Sequence, residues 1–342
     1  MKKTPLLFDG APSGGMALPT LDVPELDDLL PEDLTQNHPL PLEAVAQGAV
    51  VRHYAQLAQS GLGQETACFS DENWALGCDL ALLNRLGEPC RGLHPLLDQR
   101  DMQGALNLLM GLDKALQEIT GMDKFSLQPG SAGQGELAAL MIVKAYHEMR
   151  QQPGRNQILV AQGGCLGDIA RLAGFVPVEV PAGADGGIDP AAYKAVLGEH
   201  TAGICLEFPA VTEQTREAVC AIISSTHQAG GLACCSVAAL GPVRPGDLGW
   251  DVIGLALLAT LGAACPGGLE AFPVGVKKEL IPYLPKPLIM SHEGGPAMLD
   301  YDRPVCIGQR KAFFGNFEAL LQAYARILSL GKDGLEALQG RQ

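Results

Sequence analysis

The chain has 342 residues, of which 47% are hydrophobic and 18% charged, with a formal net charge of −14. That length and apolar content suit one large domain with an N-terminal extension, or two modest domains. The acidic balance excludes phosphate backbones and anionic lipid surfaces as expected partners, so neither nucleic acid nor membrane is expected. No apolar run reaches the roughly 20 residues of a membrane helix, and Met1 to Pro19 lacks the apolar stretch of a signal peptide. A cytoplasmic location is therefore expected. The ten cysteines form no C-x-x-C pair, and most lie in apolar runs, as expected of buried free thiols.

In chain order, residues 1–40 are proline-rich, with little periodicity, and read as an extended arm. Residues 41–100 read as a helical and irregular region, with a helix at about Leu42–Gln59. From Gln103 to Thr120 the apolar residues Leu106, Leu109, Leu112, Leu116 and Ile119 recur at three- and four-residue steps, which predicts a helix with one buried face. Short apolar runs then alternate with helical patterns. Strands are predicted at Lys124–Leu127, Gln157–Ala161, Pro177–Val180, Ile204–Phe208, Leu232–Ser236, Val252–Leu257 and Phe272–Val276. Helices are predicted at Glu136–Arg150, Ile169–Ala173, Pro190–Leu197, Glu213–Gln228, Lys278–Leu284 and Asn316–Ser329. Strands that are apolar throughout are buried on both faces, so the expected core at 101–290 is a three-layer α/β domain with a mostly parallel sheet.

One turn carries chemistry. The stretch Leu127-Gln128-Pro129-Gly130-Ser131-Ala132-Gly133-Gln134-Gly135-Glu136 joins a strand to a long helix through glycines. Amides at a helix start, with the positive end of the helix dipole, suit an anion, and Ser131, Ala132 and Gln134 are the candidate contacts. Glycines at such a turn are more often structural. His147 and Glu148 end this helix and read as terminal residues, the histidine favouring the dipole.

Several stretches, in order, resemble the P-protein of the glycine cleavage system (glycine dehydrogenase, aminomethyl-transferring), in particular the second subunit of two-subunit enzymes. They include Gly92-Leu93-His94-Pro95-Leu96, Glu118-Ile119-Thr120-Gly121-Met122-Asp123, Leu127-Gln128-Pro129, Ala145-Tyr146-His147-Glu148, Arg244-Pro245-Gly246-Asp247, Pro273-Val274-Gly275-Val276, Asp300-Tyr301-Asp302-Arg303-Pro304 and Phe314-Gly315-Asn316-Phe317. The resemblance implies the aspartate-aminotransferase fold (fold type I) of pyridoxal-phosphate transferases. It also implies a glycine decarboxylase that passes an aminomethyl group to a lipoyl H-protein. The family's chain normally continues into a smaller C-terminal domain, so 291–342 is expected to be a helical segment beginning a truncated one.

The resemblance further implies a lysine for the resting Schiff base, an aspartate on the pyridine nitrogen and a histidine stacked on the ring. Here the lysine position reads Leu258-Ala259-Thr260, and Ala259 has no amine. The aspartate position reads Ser236, which cannot hold the nitrogen protonated. The histidine stretch reads Gly163-Gly164-Cys165-Leu166-Gly167. The family's Gly-Ser-Cys-Thr-Met-Lys segment is reduced to Gly77-Cys78. Lys277 is the next lysine after Ala259. Gln134 lies near a family histidine, and His94 lies in a segment that in the family approaches the active site. Cys165, Cys234, Cys235 and Cys265 map near the same pocket and raise metal or redox chemistry as a further possibility.

The expected protein is thus a P-protein-like pseudoenzyme without bound pyridoxal phosphate. It would partner a homologous P-protein-like subunit or itself, and an H-protein-like carrier. The alternatives are a genuine decarboxylase subunit using another amine, and a repurposed protein that binds an anionic ligand at Gly130–Gly135.

Overall fold

The apolar strand runs are divided residue by residue between two cores, and that division builds the layers. In a strand, successive side chains point to opposite faces. Leu159, Ile204, Ala233, Cys235 and Ile253 enter one core, while Ile158, Val160, Cys205, Cys234 and Val252 enter the other. The computed structural model describes residues 97–181, 188–208, 213–241, 243–261, 270–291, 295–311 and 315–339. The expected arm, the helix at Leu42–Gln59, Gly77-Cys78 and His94 lie outside the described residues.

The described strands are β1 (Lys124–Ser126), β2 (Gln157–Ala161), β3 (Val176–Val180), β4 (Thr201–Phe208), β5 (Leu232–Val237), β6 (Val252–Leu255), β7 (Val274–Val276), β8 (Leu288–Met290) and β9 (Met298–Asp300). The first seven form one sheet in the order β1-β7-β6-β5-β4-β2-β3. Neighbours from β6 to β3 pair in parallel, and β7 runs antiparallel to both β1 and β6. Strands β8 and β9 form a separate hairpin ladder, which the sequence reading did not include.

The helices are α1 (Gln103–Thr120), α2 (Ala132–Met149), α3 (Leu166–Leu172), α4 (Pro190–Val196), α5 (Glu213–Gln228), α6 (Pro245–Leu248), α7 (Leu257–Thr260) and α8 (Phe317–Gln339). One sheet face packs on α1, α4, α5 and α8 through Leu112, Tyr193, Ile223 and Leu320. The other packs on α2 and α3 through Leu140, Ile142, Val143 and Ala170. The three-layer α/β expectation therefore holds. No described helix is long and apolar enough to cross a membrane.

Several predicted bounds move for physical reasons. The run Val252–Leu257 leaves the sheet after Leu255, because the Ala256 and Leu257 carbonyls accept from the Thr260 and Leu261 amides and turn the chain into a helix. Residues Leu257–Thr260 then close a single helical turn. The last strand starts at Val274 rather than Phe272, since Pro273 has no amide and the Phe272 amide donates to Pro129 O. Helix α2 begins at Ala132, four residues earlier than predicted, because the glycine-rich turn is itself its first turn. The segment Lys278–Tyr283 is a 3-10 helix containing Pro282. Helix α8 runs ten residues beyond Ser329, to Gln339, with a break at Gly331.

His147 differs most from its reading as a terminal cation. Its side chain is buried. Nε2 donates to Ala202 O at 2.8 Å and Nδ1 lies 3.0 Å from Gln152 Oε1, so the ring ties the end of α2 to β4.

The motifs shared with the family meet one another in space. Gly121 caps α1 with φ of 72°, and a Cβ on Gly246 would lie 2.1 Å from Gly121 O. Arg244 Nη1 also donates to Glu118 O at 3.2 Å. Gln128 is fully buried and bridges Pro287 O and the Arg310 amide.

Two ionic contacts generate expectations. Buried Asp113 accepts from Lys124 Nζ at 2.6 Å and from the Phe125 amide at 3.0 Å. Replacing Asp113 with alanine strands a largely buried ammonium, and should cost roughly 3–5 kcal/mol in chemical denaturation. His227 Nε2 meets Asp251 Oδ2 at 2.7 Å, and that hydrogen bond raises the histidine pKa despite some burial. The raised pKa stabilises the fold below the unfolded histidine value of about 6.5 and ceases to do so as pH rises through the folded value. His227→Gln should therefore lower the melting temperature at pH 5.5 more than at pH 8.5.

Candidate functional site

In open α/β sheets, ligands bind beyond the carboxyl ends of the parallel strands. Here that edge receives the glycine-rich turn from β1, the end of β5 at Ser236, the end of β4 at Glu207, and the segment after β6 that carries Ala259. What sets the turn above the sheet is a ring wedged between two glycines. A Cβ on Gly135 of α2 would lie 2.1 Å from the Phe272 ring, and one on Gly254 of β6 would lie 2.4 Å from it. Gly315, with φ of 57°, presses on Leu127 O from the other side, where a Cβ would approach to 2.6 Å.

The turn is closed by its own side chains. Ser131 is the N-cap of α2, its Oγ accepting from the Gln134 amide at 3.4 Å. Gln134 reaches back, its Oε1 accepting from the Gly130 amide at 3.0 Å. This is a variant of the capping box, with the back-bond taken by the residue before the N-cap, so Gln134 serves the turn itself. Ala132 and Gly133 follow in the first helical turn, and a Cβ on Gly133 would meet open space. Lys311 Nζ lies 3.3 Å from where a Gly130 Cβ would be and donates to Asn316 Oδ1. Burial pushes the Lys311 pKa down.

Ser236 is half-buried on the α2 side of the sheet, in line with Cys234. Its hydroxyl lies near the carboxylate of Glu136, one turn into α2, and lowers that carboxyl's pKa. Burial outweighs this and raises the Glu136 pKa most, and Glu207 raises it further. Exposed Cys165 faces Glu207, with Sγ to Oε1 at 3.8 Å. Its pKa is raised first by burial and then by Glu136 and Glu207. Buried Cys205 is pushed up by the same causes in the same order. The raised pKa disfavours the thiolate at both positions. Cys235 enters the opposite core from Cys234. Cys265 lies outside the described residues, and among those residues no group of three or more potential ligands is placed to hold a metal.

Ala259 is exposed on the one-turn helix α7. Lys277 follows the reversed strand β7 and therefore sits at the opposite edge of the sheet. Its amide donates to Asp251 O, just before β6, and its Nζ to Gly121 O at 2.7 Å. The four residues of β6 separate it from the Ala259 edge by roughly 13 Å. The described residues at this edge thus do not fit covalently held pyridoxal phosphate: Ala259 has no amine, and Ser236 offers a hydroxyl where a carboxylate would be needed.

Sequence reading missed Glu136, Glu207, Phe272 and Lys311 as parts of this edge. Glu136 had a visible signal, being a lone carboxylate between a glycine-rich turn and the apolar run Leu137-Ala138-Ala139-Leu140. Phe272 and Lys311 had none, since only tertiary packing brings them to the turn.

No protein-family model matches the chain. A probable glycine dehydrogenase (decarboxylating) subunit 2 of Caldanaerobacter subterraneus subsp. tengcongensis is 39% identical over 97% of this chain and 71% of its own. The proteins described in the same words from Desulforamulus reducens and Pyrococcus abyssi are 39% and 37% identical, over 97% of this chain and 71% and 68% of theirs. Among solved structures, an inhibitor-bound glycine decarboxylase (P-protein) of the glycine cleavage system superposes with a TM-score of 0.66 at 18% identity, covering 91% of this chain and 74% of that one. A sphingosine-1-phosphate lyase from Burkholderia pseudomallei gives 0.55 at 13% identity, over 89% and 73%. These neighbours share the pyridoxal-phosphate fold type I. With that fold, and with this identity over this length, the chain belongs to the glycine dehydrogenase (decarboxylating) subunit 2 family of P-proteins.

Proposed function

We propose that this chain is a catalytically inactive member of its family, kept as a structural or regulatory subunit. Its partner would be a homologous P-protein-like subunit or a second copy of itself, and through that assembly a lipoyl H-protein-like carrier, in the cytoplasm. The carrying observation is that Ala259 stands where the lysine is expected while Lys277, the next lysine along the chain, is tied to Gly121 O at the far edge of the sheet. Ser236 at the expected aspartate position supports the same reading, because a hydroxyl cannot hold a ring nitrogen protonated. The joints between shared motifs, such as Gly246 on Gly121, support a scaffold still held for assembly.

Incubation with pyridoxal 5′-phosphate, borohydride reduction and peptide mapping should label no lysine saturably at one equivalent per chain. Such labelling would overturn the reading, and Lys311, the desolvated amine beside Gly130, is the lysine to watch. Purification from the native cell should bring down a homologous subunit with an intact His-Lys-Thr motif, or yield a self-assembled oligomer. A monomer without partner would contradict the assembly role.

Lys311 also favours a second reading, in which the turn Gly130–Gly135 holds an anionic ligand. Since a Gly133 side chain would enter open space, Gly133→Leu should block the turn without unfolding the protein. On this reading phosphate raises the melting temperature of the native chain and not that of the variant. Equal shifts in both would dismiss it.

A further inference from the structure

The edge of the sheet opposite Ala259 holds a polar cavity of about 560 Å³. It lies where α2 and α5 end and where β5 and β6 begin, so neither the glycine-rich turn nor Ser236 reaches it. Its walls carry the basic residues Arg150, His227, Lys277 and Lys278, and the acidic residues Asp123, Asp251 and Glu279. In a chain of net charge −14, that balance is a local departure towards positive charge. The carboxylates are mostly engaged by the protein. Asp251 Oδ2 accepts from His227 Nε2 and from the Ala233 amide, each at 2.7 Å. Asp123 Oδ2 accepts from the Lys278 amide at 2.7 Å. The Glu279 side chain is 80% exposed, so water screens its charge. The ends of α2 and α5 are closed too: His147 O accepts from the Gln152 amide and Thr226 O from the Gly231 amide, which offsets the negative end of each helix dipole.

The donors facing this cavity are not answered in the same way. The Arg150 guanidinium lies over the Tyr146 ring, 4.3 Å from its centre, and that stacking holds the planar fork in place. Its ionic neighbour among the described residues, Glu279, is 3.9 Å away, beyond hydrogen-bond reach. The Tyr146 hydroxyl and Lys278 Nζ have no hydrogen-bond partner among the described residues. Lys277 Nζ donates to Gly121 O at 2.7 Å and keeps further N–H groups. Neither lysine is in an ion pair among the described residues. A stacked guanidinium, a free hydroxyl and two adjacent ammonium groups form the donor set of an oxyanion site.

We propose that this cavity binds a small polyvalent oxyanion, of the phosphate or dicarboxylate class, through Arg150, Tyr146, Lys277 and Lys278. The Arg150 fork and the Tyr146 hydroxyl orient the anion, and the two ammonium groups neutralise it. The site lies at the other edge of the sheet from Ala259 and Ser236, so it stands whether or not the chain is catalytically inactive.

The experiment is calorimetric titration of the full chain with inorganic phosphate and with succinate, repeated on Arg150→Gln, Lys278→Gln and Tyr146→Phe. Far-UV melts establish that each variant folds. Saturable binding of at least one probe is expected. Arg150→Gln and Lys278→Gln should each weaken it about tenfold or more, as loss of a charge-assisted hydrogen bond implies. Tyr146→Phe changes no charge and keeps the ring under Arg150, yet should weaken binding about threefold or more through the lost hydroxyl. That effect separates a built site from a general attraction of anions to basic side chains. Binding of phosphate alone with this dependence assigns a phosphate ligand, binding of succinate alone a dicarboxylate, and binding of both a site that reads charge and size. The proposal is overturned if neither probe binds at millimolar concentration. It is equally overturned if binding is indifferent to Arg150→Gln and Tyr146→Phe in folded protein, since the anion then sits elsewhere, as at the glycine-rich turn.

Discussion

The Phe272 ring between Gly135 and Gly254 is the contact from which the rest of this edge follows. Neither glycine has room for a Cβ, so α2 docks at one height on β6 and no other. That height fixes the glycine-rich turn over the strand ends, and it brings Glu136 down onto Ser236. A methyl group at either position would lift the helix start and open the edge. The turn's internal capping by Ser131 and Gln134 depends on the same placement, because it is the docked helix whose first amides are being satisfied.

A division of labour follows between shared motifs and lost groups. The motifs that align with the family are mostly joints: Gly121 against Gly246, Gln128 between Pro287 and Arg310, Gly315 on Leu127 O. Each places a backbone against a backbone or satisfies a buried amide, and each would be costly to change. Ala259, Ser236 and the Gly163–Cys165 stretch, by contrast, are exposed or half-buried. On the proposed reading these are the positions where chemistry is given up while the fold is kept.

Much of the fold was legible because its signals are local. The alternation of apolar runs with helical periods gave the three layers, and α1 and α5 have the predicted bounds. Strand ends were less legible where a proline or the onset of a short helical turn decides them, as at Pro273 and Leu257. The β8–β9 hairpin has only three residues a side and no period long enough to read. At the site, the absence of an amine at Ala259 could be read directly from the residue. The surroundings could not, since Glu136 comes under the influence of Glu207, and Lys311 lies beside Gly130, only after the sheet is ordered. His147 shows the same limit: its place in a helix was plain, and its burial against β4 was not.

The central claim is a retained scaffold with a dismantled covalent site, and a crystal structure grown with excess pyridoxal 5′-phosphate tests it most directly. The account predicts the same sheet, with Phe272 seated between its glycines, and no lysine Nζ bonded to the cofactor's aldehyde carbon. Continuous density from any lysine of this chain to that carbon, at the edge formed by Ser236 and the Gly130 turn, would contradict it.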